Sequence, residues 1–374
     1  MTGLRAYPER PAPAVRVMIV DDSLTVRTAL KRMVESDPAL AVVATASSAE
    51  TALAQVAQAA PDVVLLDLEM PGMGGLEGLP AILALAPAAQ VLVVSALTVA
   101  GAEATLSALA MGAADTMLKP RPGEFTEDYR TSLLARIRAL GMRAAGGAER
   151  SAPGAAVPLG TASLADPVTM LRPEVIAIGA STGGIHALGQ LLREIRPACT
   201  QPILITQHLP ASFMPVFARQ IESACGRPTR LAEDGLVLAP SSVVIASGDG
   251  HLVVRRSAAG LVASVSHEIA ASGCRPSVDP MFASLAACCG ARTLAIILSG
   301  MGSDGLIGAG AVAEVGGTIM AQDAASSAVW GMPGVVTRAG LARLVAPPAM
   351  LGQAVMACAA PPVTRAPTRA SAAS

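Results

Sequence analysis

The stretch VIAIGASTGG, residues 175–184, decides how the second half of the chain folds. Its first four residues are apolar, and three of them are Val or Ile, which predicts a buried strand. Small residues follow, and the run Ile185–Ile195 then has a helical pattern. Ser181 therefore lies at a sharp turn from strand to helix, where its hydroxyl is exposed beside the first free N–H groups of the helix. That arrangement is typical of a nucleophile elbow, although the sequence is not G-x-S-x-G.

An alternative interpretation of the same stretch is a glycine turn that cradles a phosphate group. The stretch lacks the lysine of a P-loop and the spacing of G-x-G-x-x-G, so it supports nucleotide binding only weakly. On these residues alone both interpretations stay open, and the rest of the chain favours catalysis.

The composition excludes several classes of protein. The chain has 374 residues, enough for two or three domains, and a formal net charge of −1. Only 2% of the residues are aromatic, so neither the basic patch nor the stacking aromatics of a nucleic-acid reader is present. No apolar run is long enough to span a membrane, and residues 1–14 are polar and proline-rich, unlike a signal peptide. We expect a cytoplasmic protein with no nucleic-acid partner and no membrane insertion.

The cysteines show no C-x-x-C spacing, which argues against a disulfide framework and against a zinc site. Scattered buried thiols are the expected alternative. The six positions are Cys199, Cys225, Cys274, Cys288, Cys289 and Cys358.

Residues 15–140 alternate between strand and helix patterns. Each predicted strand is a short apolar run, and a helical pattern follows it. The predicted strands cover residues 15–20, 41–45, 62–66, 90–94 and 114–118. Five βα units in this length predict an α/β fold with a doubly wound, five-stranded parallel sheet and right-handed crossovers.

Polar side chains follow these strands at their carboxyl ends, the edge at which doubly wound sheets bind ligands. Three of them are carboxylates, which repel one another unless a cation joins them, and oxygen ligands favour Mg²⁺ over zinc. A lysine and a hydroxyl beside them suit an incoming phosphoryl group. The five residues are Asp21, Asp22, Asp67, Ser95 and Lys119.

On these five residues the segment 15–140 resembles a response-regulator receiver domain. The resemblance implies that Asp67 accepts a phosphoryl group and that Asp21 and Asp22 hold Mg²⁺ together with it. It also implies that Ser95 is the switch hydroxyl and that Lys119 contacts the phosphoryl group.

Two positions depart from the receiver pattern. Thr116 stands where many receivers carry an aromatic switch residue, and Gly74 stands where an acidic residue often precedes the loop glycine. The first departure leaves no aromatic side chain for a rotamer switch at that position. Neither touches the acceptor chemistry.

A second α/β domain is predicted over residues 174–359. Its buried strands are expected at 175–178, 202–206, 293–298 and 317–321. A short β segment is expected at 242–246, and a β-hairpin at 251–256 and 260–266. This pattern predicts a mostly parallel sheet with a β-hairpin insertion. Residues 141–173 show no helical or strand periodicity and contain Gly, Pro and Ser, so a linker is predicted there. Disordered tails are predicted for the segments 1–14 and 360–374.

An activated serine needs a base, and the base needs an orienting group. Of the four histidines, His208 alone directly follows a buried strand, so it is expected at the same sheet edge as Ser181. Asp304 follows another buried strand at that edge. The order Ser, His, Asp differs from that of α/β-hydrolases and points to a convergent serine hydrolase. Met301, in a glycine-rich loop, is placed to direct a backbone N–H at an oxyanion.

The remaining candidates have other interpretations. His186 is expected to face solvent or packing, His251 to start a hairpin strand, and His267 to lie near the Arg275 loop, where a substrate contact is possible. Three further carboxylates lie in turns and are interpreted as local caps, namely Asp234, Asp249 and Asp323.

Residues 174–359 resemble the catalytic domain of the chemotaxis protein-glutamate methylesterase family. The resemblance rests on GASTGG at 179–184, QH at 207–208, RPSVD at 275–279, GMGSDG at 300–305, and AQD at 321–323 with GMP at 331–333. It implies Ser181 as nucleophile, His208 as base and Asp304 as orienting group. It places Thr182, the Met301 amide and the Arg275 loop on the substrate side.

The resemblance also implies the substrates and partners. Glutamate methyl esters on methyl-accepting chemotaxis receptors would be hydrolysed to carboxylate and methanol, and receptor glutamines would be deamidated. A chemotaxis histidine kinase would supply the phosphoryl group, with Mg²⁺ as the receiver's cofactor and no cofactor for the ester hydrolysis. A monomer is expected.

Two rival functions come from other classes. One is a phosphorylation-regulated binding module whose hydrolase domain is inactive, and intact Ser181, His208 and Asp304 argue against it. The other is a nucleotide-binding α/β domain, against which the missing P-loop lysine argues.

Overall fold

The computed structural model describes residues 14–95, 98–120, 125–149 and 171–359. Almost all of the two predicted tails, and most of the predicted linker, lie outside these residues. Among the described residues, no helix combines the length and the apolar character needed to cross a membrane.

The first unit has five strands and five helices in strict alternation. Its strands are β1 (Val15–Val20), β2 (Leu40–Ala46), β3 (Val63–Leu66), β4 (Gln90–Ser95) and β5 (Asp115–Leu118). Its helices are α1 (Leu24–Glu35), α2 (Ala49–Ala59), α3 (Gly75–Leu85), α4 (Val99–Met111) and α5 (Glu127–Glu149). The strand order is β2-β1-β3-β4-β5 and each pairing is parallel, so the predicted doubly wound sheet is confirmed.

Local sequence explains these elements. Strand β3 reads VVLL and is buried at every position, as a central strand covered by helices on both faces must be. Helices α1, α2 and α4 begin after Ser23, Ser48 and Thr98 respectively, and the hydroxyl of each of these residues accepts a hydrogen bond from an N–H of the first helical turn. Helix α5 continues to Glu149, so residues 141–149, which were predicted to begin the linker, are helical. Their Ala, Arg and Met residues favour a helix.

The second unit contains the remaining elements. Its strands are β6 (Val175–Ala180), β7 (Ile203–Gln207), β8 (Thr229–Leu231), β9 (Leu236–Val237), β10 (Val243–Ile245), β11 (His251–Ser257), β12 (Gly260–Ser266), β13 (Thr293–Ile297), β14 (Thr318–Gln322) and β15 (Leu344–Ala346). Its α-helices are α6 (Gly184–Glu194), α7 (Met214–Cys225), α8 (Val278–Cys289), α9 (Leu306–Glu314), α10 (Met332–Arg338) and α11 (Pro348–Ala359). Short 3₁₀ turns cover Ala211–Phe213 and Gly290–Arg292.

Seven strands of this unit form a parallel sheet in the order β15-β14-β13-β6-β7-β10-β8. The predicted hairpin is β11 and β12, which with β9 makes a separate antiparallel sheet. Strands β8, β9 and β15 have only two or three residues each, too few for a periodicity to be read from the sequence. Strand β6, which directly precedes Ser181, is buried at every position and lies between β13 and β7.

The two units pack against each other through helix α4 of the first and helices α6 and α7 of the second. One buried apolar cluster spans this contact and includes Leu106 and Leu109 of α4 with Leu188 of α6. Polar contacts flank it: the Ala110 carbonyl lies 3.0 Å from His186 Nδ1. The first unit therefore covers the side of the second on which helix α6 begins.

Candidate active site

Ser181 directly follows β6 at the turn into α6. Its backbone N–H donates to the Ser299 carbonyl at 3.0 Å, and its own carbonyl accepts from Gln207 Nε2 at 2.9 Å. The turn requires glycine at 183, which has φ 75° and where a Cβ would lie 2.4 Å from the Ala328 Cβ. The strand-to-helix turn predicted around Ser181 is therefore present and held from both sides.

His208 and Asp304 reach this turn from the two strands that flank β6. Ala180 pairs in register with Gln207, so Ser181 and His208 are the next residues of two adjacent parallel strands. Asp304 lies beyond β13 on the other side of β6. The carboxylate Oδ2 of Asp304 lies 2.7 Å from Nε2 of His208. The structure thus brings the predicted base and its predicted orienting group into direct contact.

Asp304 is a buried carboxylate, with its side chain 1% exposed. Burial by itself raises its pKa, but donors from His208, Ser277 and the Val278 amide outweigh burial and hold the pKa of Asp304 below its usual range. Ser277 Oγ donates to Oδ1 at 2.6 Å, and the Val278 N–H donates to Oδ2 at 2.7 Å. Asp304 is therefore ionised at neutral pH.

An ionised Asp304 determines the tautomer of His208. Oδ2 can only accept, so the proton between the two groups belongs to Nε2 of the imidazole. The other ring nitrogen, Nδ1, is then the one with a free lone pair, which is the condition for a general base. His208 has this tautomer because of Asp304, the orienting relation that a catalytic triad requires.

The backbone of the loop after β13 packs closely against Ser181. A Cβ built on Gly300 would lie 2.8 Å from the Ser181 Cβ, so only glycine allows this approach. The Gly300 N–H donates to the Val329 carbonyl at 3.0 Å and is committed there. The next N–H, that of Met301, is the backbone donor nearest in sequence to this contact. The role of the Met301 N–H as an oxyanion donor stays a prediction.

Of the other residues predicted on the substrate side, Arg275 is exposed and donates to the His267 carbonyl at 3.1 Å. Thr182 is buried, and its hydroxyl donates to Asp115 Oδ2 of the first unit at 2.7 Å. The neighbouring Gly183 N–H donates to the Ala114 carbonyl. Strand β5 of the first unit therefore covers the residues that directly follow the predicted nucleophile.

Three neighbours of the predicted triad were missed from the sequence. Ser277 donates to Asp304, and His251 Nδ1 accepts the Ser277 N–H at 2.9 Å while its Nε2–H donates to the Glu268 carbonyl at 2.8 Å. Cys274 lies in the same loop, with its Sγ within 4.8 Å of a donor atom of His208 and of Asp304. None of these residues directly follows a buried strand, so the search for polar residues after strands, which located His208 and Asp304, could not find them. Ser277 is part of the RPSVD motif, which had been used only as evidence for the family.

Two of the three predicted local caps behave as such. Asp323 accepts from Ser326 N at 2.9 Å, and Asp234 accepts from the Val265 amide at 2.9 Å. For Asp249, the Ser247 hydroxyl is the main cause of a lowered pKa. Asp323 and Asp249 therefore serve their own turns, whereas Asp234 binds the backbone of strand β12, 31 residues further along the chain, so the prediction of a local cap is wrong for Asp234.

The first unit gathers its predicted polar residues at the carboxyl edge of the sheet. One carboxylate oxygen from each of Asp21, Asp22 and Asp67 lies within 4.8 Å of the others. Lys119 Nζ lies 2.5 Å from Asp67 Oδ2 and 2.9 Å from Asp21 Oδ2. Burial raises the pKa of Asp67, and the Asp21 charge adds to this, whereas Lys119 acts in the opposite sense.

Three clustered carboxyl oxygens are the donor set that Mg²⁺ prefers, and these residues fit that cation. Ser95 is buried at the end of β4, and its hydroxyl shares a 2.6 Å hydrogen bond with Thr105 of α4. The predicted switch hydroxyl is thus connected to the helix that packs on the second unit.

Comparison with known proteins agrees with this two-part arrangement. The family model for the CheB methylesterase matches residues 176–355, and that for the response regulator receiver domain matches residues 17–129. A protein-glutamate methylesterase/protein-glutamine glutaminase from Azospirillum brasilense is 40% identical over 371 residues, covering 91% of this chain and 94% of that protein. The chain belongs to the protein-glutamate methylesterase/protein-glutamine glutaminase family.

A second member of this methylesterase/glutaminase family, from Paramagnetospirillum magneticum, is 41% identical over 363 residues, covering 91% of this chain and 95% of that protein. The crystal structure of the Thermotoga maritima CheB methylesterase catalytic domain is 31% identical, covers 50% of this chain and 98% of that one, and has a TM-score of 0.48. Both resemblances stated from the sequence, to a receiver and to the methylesterase family, are confirmed.

Proposed function

We propose that this chain is a phosphorylation-regulated serine hydrolase that acts on methyl-accepting chemotaxis receptors. It hydrolyses glutamate methyl esters to carboxylate and methanol, and it deamidates glutamines at the same site. The observation that carries the proposal is the 2.7 Å pair of His208 and Asp304, formed by residues that follow the two strands on either side of the strand ending at Ser181. The relatives from A. brasilense and P. magneticum are named for both activities.

In the acylation step, Ser181 Oγ attacks the ester carbonyl while Nδ1 of His208 takes the hydroxyl proton. The imidazolium that forms is stabilised by ionised Asp304 at Nε2. The Met301 N–H stabilises the oxyanion, a contribution typically worth about 10²–10³ in rate. His208 then returns the proton to the departing methoxide, and methanol leaves an acyl-enzyme.

In the second step, His208 removes a proton from water, which attacks the acyl-enzyme and releases the receptor carboxylate and the Ser181 hydroxyl. For a glutamine side chain the same sequence releases ammonia in place of methanol. One nucleophile and one base therefore account for both reactions.

The test is methanol release from a methylated receptor by the Ser181→Ala variant. Ser223→Ala, an exposed serine on α7, is the matched control. Loss of methanol release in the first variant alone supports the proposal, and undiminished hydrolysis in Ser181→Ala refutes it. A fluorophosphonate probe that labels the wild type but not Ser181→Ala argues against an inactive binding module.

In the receiver, we propose that Asp67 accepts the phosphoryl group from a chemotaxis histidine kinase. Asp21, Asp22 and Asp67 would hold Mg²⁺, which when bound offsets the charge of the incoming phosphoryl group. Lys119, already ion-paired with Asp67, stays close to that group. Ser95 would then leave Thr105 to bind the phosphoryl oxygens, which links the acceptor to helix α4.

Regulation follows from the contact between the units. In the resting chain β5 covers Thr182, and phosphorylation shifts the population towards a form in which this contact is open. We place the receiver at residues 15–140 and the catalytic domain at 174–359. Removing residues 1–150 should raise the basal rate of methanol release, and a truncated chain no more active than the resting full-length protein would contradict this regulation.

A further inference from the structure

The active site holds a thiol that the hydrolytic mechanism does not use. Cys274 Sγ, a nitrogen of His208 and a carboxylate oxygen of Asp304 all lie within 4.8 Å of one another. The three residues come from separate parts of the chain, after β7, before α8 and after β13, so no spacing in the sequence indicates the cluster. From this geometry we propose that His208, Cys274 and Asp304 form a binding site for zinc or a similar divalent metal ion, and that its occupation stops hydrolysis.

The donor set is suited to zinc. Imidazole nitrogen, thiolate sulfur and carboxylate oxygen are the three donors that zinc accepts in proteins, and three protein ligands leave one position for water. Zinc bonds of about 2.0–2.3 Å in a tetrahedron place the donor atoms about 3.3–3.6 Å apart. The sulfur lies at most 4.8 Å from each of the other two donor atoms, so each of these two distances must shorten by no more than about 1.2 Å. Gly273, which has φ 69°, directly precedes Cys274 in the loop.

The metal ion would take the place of a proton. Nε2–H of His208 now donates to Asp304 Oδ2 across 2.7 Å, and this pair must open by about 0.6 Å to hold zinc between its atoms. The proton on Nε2 moves to Nδ1 of the same ring, and the Cys274 thiol loses its proton to solvent. Asp304 keeps its hydrogen bonds from Ser277 and Val278, so its buried charge stays partnered.

This exchange of protons explains the inhibition. With zinc on Nε2 and the proton on Nδ1, His208 has no lone pair left to accept the proton of Ser181. The inhibitory part of the proposal rests on the proposed function, in which His208 is the base. The binding part rests on geometry alone.

The first experiment uses the unaltered full-length chain with excess Mg²⁺, which keeps the receiver carboxylates filled. Iodoacetamide alkylation is followed for each cysteine by mass spectrometry, with and without Zn²⁺. We expect Zn²⁺ to slow alkylation of Cys274, while the thiol of Cys225 on α7, which is half-buried like that of Cys274, serves as an internal control. An unchanged alkylation rate at Cys274 at Zn²⁺ concentrations that inhibit hydrolysis would overturn the proposal.

The second experiment measures metal binding and activity together. Co²⁺ serves as the spectroscopic probe, since a thiolate ligand produces a charge-transfer band. Cys274→Ser is compared with Cys288→Ser, because Cys288 and Cys289 place their sulfurs 3.6 Å apart and are the competing thiol pair. We expect Cys274→Ser alone to lose the band and to need at least about tenfold more Zn²⁺ for half inhibition, relative to its own metal-free rate.

The outcomes separate the two proposals. A band that survives in Cys274→Ser and vanishes in Cys288→Ser overturns the metal site. A band that depends on Cys274 and on His208, with methanol release unaffected at saturating metal, establishes the site and instead contradicts the role of His208 as base.

Discussion

The contact between Asp115 and Thr182 predicts that a single substitution far from the phosphorylation site makes the enzyme active without phosphorylation. Asp115 Oδ2 accepts the Thr182 hydroxyl at 2.7 Å and is also paired with Arg136. The Asp115 side chain is 13% exposed, so little water competes for this bond in the closed form. Asp115→Ala removes the bond while leaving the apolar contact of α4 with α6 in place.

The magnitude follows from the kind of bond. A hydrogen bond to a charged group contributes about 1.5–3 kcal/mol, and the lower end applies because Arg136 is 31% exposed and both partners are hydrated in the open form. About 1.4 kcal/mol is a factor of ten in an equilibrium constant. We therefore expect the open fraction, and with it resting methanol release, to rise about tenfold, up to the ceiling of the fully phosphorylated enzyme.

The assay is methanol release from methylated receptor without a phosphodonor. Asp128→Ala, an exposed carboxylate on α5, removes the same charge without touching the second unit and serves as the matched control. With Mg²⁺ and a saturating phosphodonor, Asp115→Ala and wild type should reach the same rate, since both are then open. A folded Asp115→Ala variant with normal melting and the resting rate of the wild type would contradict this prediction, as would equal activation of Asp128→Ala.

Three further predictions concern single residues. Ser181→Ala should lower methanol release by about 10⁴-fold or more, because the nucleophile is lost while binding is kept; this is measured at matched receptor concentration. Asp67→Asn should keep the resting rate but abolish the increase caused by Mg²⁺ and phosphodonor, and a retained increase would place the acceptor elsewhere. Burial, with the nearby charge of Asp304 as a further cause, raises the pKa of Asp279 to about 6, above its unfolded value near 3.8. Its contribution to stability is therefore full below about pH 3.8 and is lost as pH rises to about 6, so Asp279→Asn should flatten the fall of the denaturation midpoint over that range; identical pH profiles for the two proteins would contradict this.

Much of the fold and part of the site could be predicted from local sequence. Short apolar runs that end in polar residues predict parallel strands, and the carboxyl ends of such strands lie at one edge of the sheet. From this relation alone, Ser181, His208 and Asp304 were predicted to follow strands of one sheet. The same rule located Asp21, Asp67 and Lys119 in the receiver. The position of a residue at the end of a strand can be predicted because backbone hydrogen bonds between the strands determine it, independently of side-chain contacts.

Other features depend on contacts between distant segments. Which nitrogen of His208 faces Asp304 depends on where the loop after β13 carries the carboxylate. The donors from Ser277 and Val278 that keep Asp304 ionised come from the start of α8. Cys274 illustrates the limit most clearly: cysteine spacing argued against a zinc site, yet folding places this thiol beside a histidine and an aspartate from other segments.

The two parallel sheets, the strand before Ser181 and the family could be read from the amino-acid sequence, because they depend on the period of apolar residues and on motifs contiguous in the chain. The hydrogen bond between Asp115 of one unit and Thr182 of the other, and the donors around Asp304, became visible only in the folded chain. Hydrogen bonds and burial depend on distances of a few ångströms between residues far apart in the chain, and no local pattern encodes such distances.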